Sequence, residues 1–215
     1  GYIRGRLPMP GLFTQESMLN YDHWVYRLGG FMRGLIGRIA FPIFCFLLVQ
    51  GFIHTSKRRN YKMKLLIFAL ISEIPFNLAL WDTFRFGISN VLFTLLLGFI
   101  AMEVVEADWN PLLRGLAVAG IAFLAEVLGC DYGASGVLLI VALYLARADR
   151  MLTVLVGVFS VFVLPSLSNL AAVLAYIPIA FYNGQRGLRL KYVFYVFYPG
   201  HLLVLYLVRW LMIRV

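Results

Sequence analysis

The chain has 215 residues, of which 62% are hydrophobic and only 13% are charged, and its mean hydropathy is +0.85. A single soluble core cannot hide that much apolar surface, so the composition excludes an ordinary soluble domain and predicts an integral membrane protein.

The net charge of +9 would suggest nucleic-acid binding in a soluble protein. Here, however, the basic residues lie mostly between apolar runs, where membrane topology explains them. We therefore expect no nucleic-acid partner.

The segment from Leu12 to Leu28 is unusually polar for one that lies next to so many apolar runs. Glu16, Asn20, His23 and Arg27 recur at helical spacing and share one face of a predicted helix. Such a helix either lines a polar cavity inside a bundle or lies along the membrane surface. The sequence leaves both readings open. We therefore divide the chain into 1–30, an amphipathic or first transmembrane helix, and 31–215, a multi-span helical membrane domain.

The run from Phe31 to His54 is the first clear membrane span. At about 1.5 Å per residue it is long enough to cross a hydrocarbon core of roughly 30 Å. Arg38 lies within this run, and a guanidinium is costly wherever it faces lipid, so we expect it to point into the bundle towards a partner. A cluster of cations follows the run and predicts its cytoplasmic end, at Lys57, Arg58, Arg59, Lys62 and Lys64.

Further apolar runs follow in alternation with short loops. They cover 61–81, 88–105, 112–130, 137–146, 151–164, 171–182 and 192–213. If the loop after His54 is cytoplasmic, alternation places three later loops on the same side, 106–114, 146–150 and 183–191. These loops contain six cations, Arg114, Arg147, Arg150, Arg186, Arg189 and Lys191. The loops on the opposite side, 82–87, 129–136 and 165–168, contain a single cation, Arg85. The sequence predicts an all-α polytopic protein with eight spans, or nine if the N-terminal helix crosses, around a buried polar cavity.

Several ionisable residues lie inside these predicted spans. Glu73 is the natural counter-ion for Arg38, although a purely structural salt bridge is an equal reading. His201 lies about 15 Å into the last span by helical rise, and His23 lies at a comparable depth if the first helix spans. Two imidazoles at one level can share a cavity, whereas a lone histidine more often bonds a neighbouring helix. Asp22 precedes His23, and a nearby carboxylate would hold that imidazole in one tautomer.

The two cysteines, Cys45 and Cys130, fall in or beside separate apolar runs. They lack the paired spacing of a zinc site or a disulfide framework. We expect both to be packing residues, and we expect no metal cofactor.

Six short stretches together resemble the TraX family, membrane proteins associated with N-terminal acetylation of conjugative F-pilin and grouped with wider transmembrane acyltransferases. In chain order they are YDHW at 21–24, GRIAFPIFCFLLVQGF at 37–52, ISEIPFNLA at 71–79, SNVLFTLLLG at 89–98, DYGASGVLLI at 131–140 and FYPGHLL at 197–203. Each stretch is weak alone, but the ordered set is fairly specific. The resemblance directs attention to Asp22, His23, Arg38, Phe41, Pro42, Asn90, Tyr132, Gly133 and His201.

The resemblance implies transfer of an acetyl group from cytoplasmic acetyl-CoA to an amine or a hydroxyl. His23 would be the general base, Asp22 would orient it, and Arg38 would stabilise negative charge on the thioester oxygen. His201 would relay the proton or help to bind the donor. The implied substrate-binding residues are Glu73, Asn90 and Tyr132, and the implied acetyl-CoA phosphate ligands are Lys57, Arg58 and Arg186.

Two other classes of function stay open at this point. One is a small-solute transporter or channel that uses the buried charges as a path, and the other is a non-catalytic membrane partner of a pilus or secretion assembly. The expected location is the inner (cytoplasmic) membrane, with the basic loops in the cytoplasm and lipid around the spans. Pilin or another protein, a glycan hydroxyl and a small amine are all candidate acceptors, and the sequence does not indicate an oligomeric state.

Overall fold

The computed structural model describes residues 37–81, 90–167, 170–185, 196–204 and 206–207. All regular structure in these ranges is helical, with no strand among them, which confirms the all-α prediction. The α-helices are α1 (Arg38–His54), α2 (Arg58–Trp81), α3 (Val91–Glu106), α4 (Pro111–Val127), α5 (Gly133–Leu145), α6 (Arg150–Val163) and α7 (Tyr176–Ala180). Two 3₁₀ segments, Pro165–Leu167 and Leu170–Ala175, lie between α6 and α7. Residues 196–204 and 206–207 are also helical.

Within these described ranges, none of the helices combines the length and the apolar character that a membrane crossing requires.

Helix starts follow local signals in the sequence. The side chains of Asn90, Asn110 and Asp149 each accept a hydrogen bond from a backbone N–H in the first turn of α3, α4 and α6, respectively. Pro111, which follows Asn110, occupies the first turn of α4, where its missing N–H costs nothing. The helices therefore begin close to where the apolar runs were expected to begin.

One predicted helix differs from its observed form. The run 171–182 was expected to be a single span, but it begins as the 3₁₀ segment Leu170–Ala175 and becomes α-helical only at Tyr176. Pro178 lies inside this stretch and has no N–H to donate to the carbonyl of residue 174. The loss of that bond is a local reason for the tighter turns that precede it.

The chain divides into two compact units. The main unit comprises Met32–Ala69 and Ile88–Arg189, and the minor unit comprises Gly1–Phe31, Leu70–Gly87 and Leu190–Val215. Helix α2 contributes its first half to the main unit and its second half to the minor unit.

Helix α5 is the centre of the main unit, since it packs against α1, α3, α4 and α6. Its residues Val137, Leu139, Ile140 and Leu143 are completely buried. Gly98 of α3 allows the close approach of these two helices, because an added methyl group there would lie 3.1 Å from Cβ of Ile140. The core is therefore built on the pairing of α3 with α5.

Contacts in the main unit define two ends. At the first, which we call the Arg38 end, Arg38 contacts Ser166, and Thr94 bonds the backbone of Asp131. At the second, which we call the Arg58 end, two ion pairs join α2 to α3, namely Arg58–Glu106 and Lys62–Glu103. Successive helices thus run in alternate directions between the two ends, as the loop pattern predicted.

The Gly98–Ile140 contact predicts a steric effect on stability. We expect Gly98→Ala to lower the free energy of unfolding by about 1–3 kcal/mol, because the new methyl group overpacks the α3–α5 interface. Gly115→Ala is the matched control, since nothing lies within 4 Å of a methyl group at that position of α4. It should be neutral or stabilising by up to about 1 kcal/mol. Thermal unfolding of both variants tests this, and equal midpoints would contradict the described packing.

Candidate active site

Arg38 lies in the first turn of α1 and is held by two groups from elsewhere in the main unit. Its Nη1 donates a hydrogen bond to the backbone carbonyl of Ser166 at 2.9 Å. Its guanidinium carbon lies 5.6 Å from the centroid of the Tyr132 ring, within the range of a cation–π interaction. Arg38 therefore has protein partners, as expected, but it is exposed and does not point into the bundle. A guanidinium with five N–H groups keeps donors for a ligand.

Tyr132 presents its ring to Arg38 from an unusual backbone conformation. Its φ of 64° and ψ of −8° are left-handed, and Gly133 follows with φ of 45°. For a residue with a side chain this conformation costs about 1–2 kcal/mol and persists only when the surroundings enforce it. Phe41 supplies one restraint, because its ring stacks on the Tyr132 ring at 3.6 Å between centroids and 3° between planes.

The turn that carries Tyr132 is fixed by two further hydrogen bonds. Thr94 donates its hydroxyl to the carbonyl of Asp131, and the backbone N–H of Ala134 donates to the Glu126 carboxylate at 3.0 Å. Gly136 allows the stacked rings of Phe41 and Tyr132 to pack close to α5, because a methyl group at position 136 would lie 3.0 Å from Cζ of Phe41. Together these contacts hold the phenol in one orientation before any ligand binds.

The electrostatic environment keeps the Tyr132 phenol protonated. Burial and the neighbouring charge of Asp131 raise the pKa of Tyr132 to about 12, although the positive charge of Arg38 opposes this rise. At neutral pH the side chain therefore carries its proton and is a hydrogen-bond donor. Arg38 and Tyr132 thus place a permanent cation and a neutral O–H donor side by side, which is the arrangement that stabilises a developing oxyanion.

Asn90, a predicted substrate-binding residue, is completely buried at the start of α3. Its side-chain oxygen accepts from the N–H of Leu92 at 3.0 Å, and its side-chain amide donates to the carbonyl of Ala69 at 2.8 Å. The side chain therefore caps α3 and ties it to α2. Contact between Asn90 and a substrate stays a prediction.

In the minor unit, Glu73 is completely buried and accepts a hydrogen bond from Nδ2 of Asn77 at 3.0 Å. The predicted Arg38–Glu73 pair joins residues of different units and stays a prediction.

His201 lies in the same unit, and its Nδ1 is 2.9 Å from the carbonyl oxygen of Phe197, to which it donates. This bond selects the tautomer in which Nε2 carries the lone pair and can act as a base. Asp22, His23 and Arg186 lie outside the described residues, so their predicted roles stay predictions.

The predicted phosphate ligands at the Arg58 end differ in what they contact. Arg58 is 2.5 Å from the Glu106 carboxylate, which also accepts from the Tyr144 hydroxyl. The guanidinium of Arg58 also lies over the Phe52 ring at 4.0 Å. Lys57, in contrast, is exposed in the loop before α2. Much of the charge of Arg58 is thus offset by Glu106, and Lys57 is the better placed of the two to meet an anion.

Sequence reasoning missed three parts of this site, namely Thr94, Asp131 and Ser166. Asp131 had a usable signal, because it opens DYGASGVLLI, one of the six stretches that carry the family resemblance. Ser166 contributes only a backbone carbonyl, which any residue type supplies, so no sequence pattern could have identified it.

The Arg58–Glu106 pair predicts how stability depends on pH. The hydrogen bond from Arg58, followed by that from Tyr144, lowers the pKa of Glu106 from its ordinary value of 4.5. A carboxylate with a lowered folded-state pKa adds stability above about pH 4.5, and that stability is lost as the pH falls through the folded value.

We therefore expect the thermal midpoint of the parent to fall below pH 4.5 more steeply than that of Glu106→Gln. The control is Asp108→Asn, which removes an exposed carboxylate from the next loop and should retain the slope of the parent. Identical slopes for the parent and Glu106→Gln would show that this ion pair does not stabilise the fold.

Comparison with known proteins assigns the chain to a family. The TraX protein family matches residues 17–209. The chain is also similar to the probable fimbrial assembly protein FimC, serogroup H1, of Dichelobacter nodosus. The two are 29% identical over 196 aligned residues, which cover 79% of this chain and 80% of the relative. No solved structure matches the chain. The match of the family to almost the whole chain shows that this protein belongs to the TraX family.

Proposed function

We propose that the protein is an integral membrane acyltransferase that moves an acetyl group from acetyl-CoA to an amine or hydroxyl acceptor during pilus or fimbrial assembly. The observation that carries this proposal is the pairing of Arg38 with Tyr132, two residues to which the family resemblance had pointed independently. Membership of the TraX family and the fimbrial name of the relative from Dichelobacter nodosus support the biological setting.

Exposed apolar side chains support the membrane location. On α4 and α6, Leu112, Phe123 and Phe159 are 71%, 70% and 66% exposed. Many other large apolar residues of these two helices are also exposed. Soluble monomers rarely expose apolar patches of this kind to water. In a bilayer the lipid tails contact such side chains, so their exposure carries no free-energy penalty. The cations of the Arg58 end favour the cytoplasmic side for that end, which leaves the Arg38 end on the opposite side of the inner membrane.

The proposed reaction is an acyl transfer through a tetrahedral intermediate. The acceptor nitrogen or oxygen attacks the thioester carbonyl, and its proton passes to His23, which Asp22 orients. Negative charge develops on the carbonyl oxygen, to which Arg38 and Tyr132 donate hydrogen bonds. The C–S bond then breaks, and coenzyme A leaves with its sulfur protonated. His201 has a base-competent Nε2 and relays the proton.

The two ends of the main unit suit the two substrates. Acetyl-CoA is available in the cytoplasm, and Lys57, Arg58 and Arg186 meet its phosphates in this proposal. Because Arg58 is paired with Glu106, Lys57 makes the larger contribution of the first two. Arg38 is exposed at the other end, so the acceptor, a protein or a glycan, enters there.

A second candidate function is that of a catalytically silent membrane partner in fimbrial assembly. The name of the Dichelobacter nodosus relative favours it, because that name describes assembly and no reaction. The two candidates differ in a simple property, namely whether the purified protein consumes acetyl-CoA.

The catalytic proposal predicts the effect of removing either donor. With labelled acetyl-CoA, purified parent protein should release or transfer acetyl groups, and Arg38→Gln should reduce kcat by about 100-fold or more. Tyr132→Phe should reduce it by about 10-fold, because it removes one neutral donor. The control is Arg59→Gln, which removes an equal charge from an exposed position at the Arg58 end and should retain the parent rate. An inactive parent would favour the silent partner, and active Arg38→Gln protein would remove Arg38 from the mechanism.

Donor binding at the Arg58 end predicts a salt effect. Phosphate binding by exposed cations is screened over about 10 Å at 0.1 M salt, so the KM for acetyl-CoA should rise with ionic strength. Lys57→Gln should raise the KM at low salt and flatten its dependence on salt, with little change in kcat. Measuring KM from low to high salt for the parent and this variant tests the point. A KM that is constant for both proteins would exclude these cations from donor binding.

A further inference from the structure

Arg147, which lies just beyond the last residue of α5, is an exposed cation at the Arg58 end. Two other cations of that end, Arg58 and Lys62, are each paired with a carboxylate, at 2.5 and 2.7 Å. Among the residues that the structure describes, no carboxylate lies within ion-pair distance of Arg147. Its charge is therefore available to an anion from outside the chain.

The guanidinium of Arg147 is held in place although it is exposed. Its Nη1 donates a hydrogen bond to the backbone carbonyl of Tyr144 at 2.7 Å, and its guanidinium carbon lies 3.8 Å from the centroid of the Tyr144 ring. Tyr144 is only 1% exposed, and its hydroxyl is fixed by donation to Glu106. An unrestrained arginine side chain carries about 2 kcal/mol of rotamer entropy, and these contacts remove part of it before an anion binds.

Two carboxylates close to Arg147 in the fold or in the sequence already have other partners. Glu106 accepts hydrogen bonds from Arg58 on one oxygen and from Tyr144 on the other. Asp149 accepts from two backbone N–H groups in the first turn of α6 and so caps that helix. The group around Glu106 therefore keeps an excess of one positive charge, because two guanidiniums share one carboxylate.

Arg58 and Arg147 are supported by one pair of packed aromatic rings. The guanidinium of Arg58 lies 4.0 Å from the centroid of the Phe52 ring, just as that of Arg147 lies against Tyr144. The Phe52 and Tyr144 rings meet edge to face, with their centroids 5.3 Å apart. Both guanidiniums therefore belong to one patch of the surface, on either side of Glu106.

We propose that Arg147 binds a phosphate group of the acyl donor, with Arg58 as the second cation of the same site. A guanidinium donates two parallel hydrogen bonds to phosphate oxygens from its planar fork, and the contacts with Tyr144 leave most of the five N–H groups of Arg147 free. The inference rests on the proposed acyltransferase function, whose donor, acetyl-CoA, carries phosphate groups. It adds Arg147 to the residues that hold this donor.

The affinity of the purified protein for CoA tests the site without requiring turnover. Arg147→Gln should raise the Kd for CoA by about 10-fold, because it removes a charge-assisted hydrogen bond. Arg147→Lys should recover only part of that loss, since an ammonium group keeps the charge but has no planar fork. The matched control is Arg150→Gln, which removes the same charge from an exposed position in the first turn of α6. It should change the Kd by less than about 3-fold.

The phosphate of an anionic lipid is the other source of this chemistry at a membrane surface, and a second measurement distinguishes it. Native mass spectrometry in the presence of phosphatidylglycerol should find equal amounts of bound lipid on the parent and on Arg147→Gln. Less bound lipid on Arg147→Gln, together with an unchanged Kd for CoA, would assign the site to a lipid headgroup and overturn the inference.

Three further results separate this inference from the proposed function. Equal CoA affinities for the parent and Arg147→Gln would overturn the inference alone and leave Arg147 as a residue that only completes the end of α5. Equal losses in Arg147→Gln and Arg150→Gln would also overturn it, because the effect would then be one of general charge. A parent that does not bind CoA would overturn the proposed function, and the inference with it.

Discussion

The contact between Arg38 and Tyr132 depends on a backbone conformation that the chain would not adopt alone. Tyr132 is left-handed, and it stays so because Phe41 stacks on its ring while Thr94 and Glu126 hold the turn on either side. These restraints come from α1, α3 and α4, so the packing of the main unit is what positions the phenol. A pair of donors fixed in advance stabilises developing charge without reorganisation at the moment of reaction.

The distribution of charge divides the main unit into two chemically different ends. At the Arg58 end, cations are partly balanced by carboxylates, as in the pairs Arg58–Glu106 and Lys62–Glu103. At the Arg38 end, one guanidinium binds a backbone carbonyl and lies over an aromatic ring, and Asp131 is the carboxylate near it. The ion pairs of the Arg58 end join α2 to α3, whereas the Arg38 end carries the donors of the proposed oxyanion site.

Much of the helical framework could be predicted from the sequence, because long apolar runs and asparagine or aspartate caps carry strong local signals. Arg38 could be selected for the same kind of reason, since a charge within an apolar run needs a partner. The identity of its partners could not be predicted, because Ser166 acts through its backbone and Tyr132 through a turn conformation set by distant residues. The 3₁₀ segment before Tyr176 was also missed, since apolar periodicity does not distinguish it from an α-helix over six residues.

A double-mutant cycle on acetyl-CoA turnover, with Arg38→Gln and Tyr132→Phe alone and combined, tests the central claim most directly. If both side chains donate to one developing oxyanion, their effects on kcat are coupled, and the double variant should lose clearly less than the product of the two single losses. Strictly multiplicative losses would show that the two residues act independently and would contradict a shared oxyanion site.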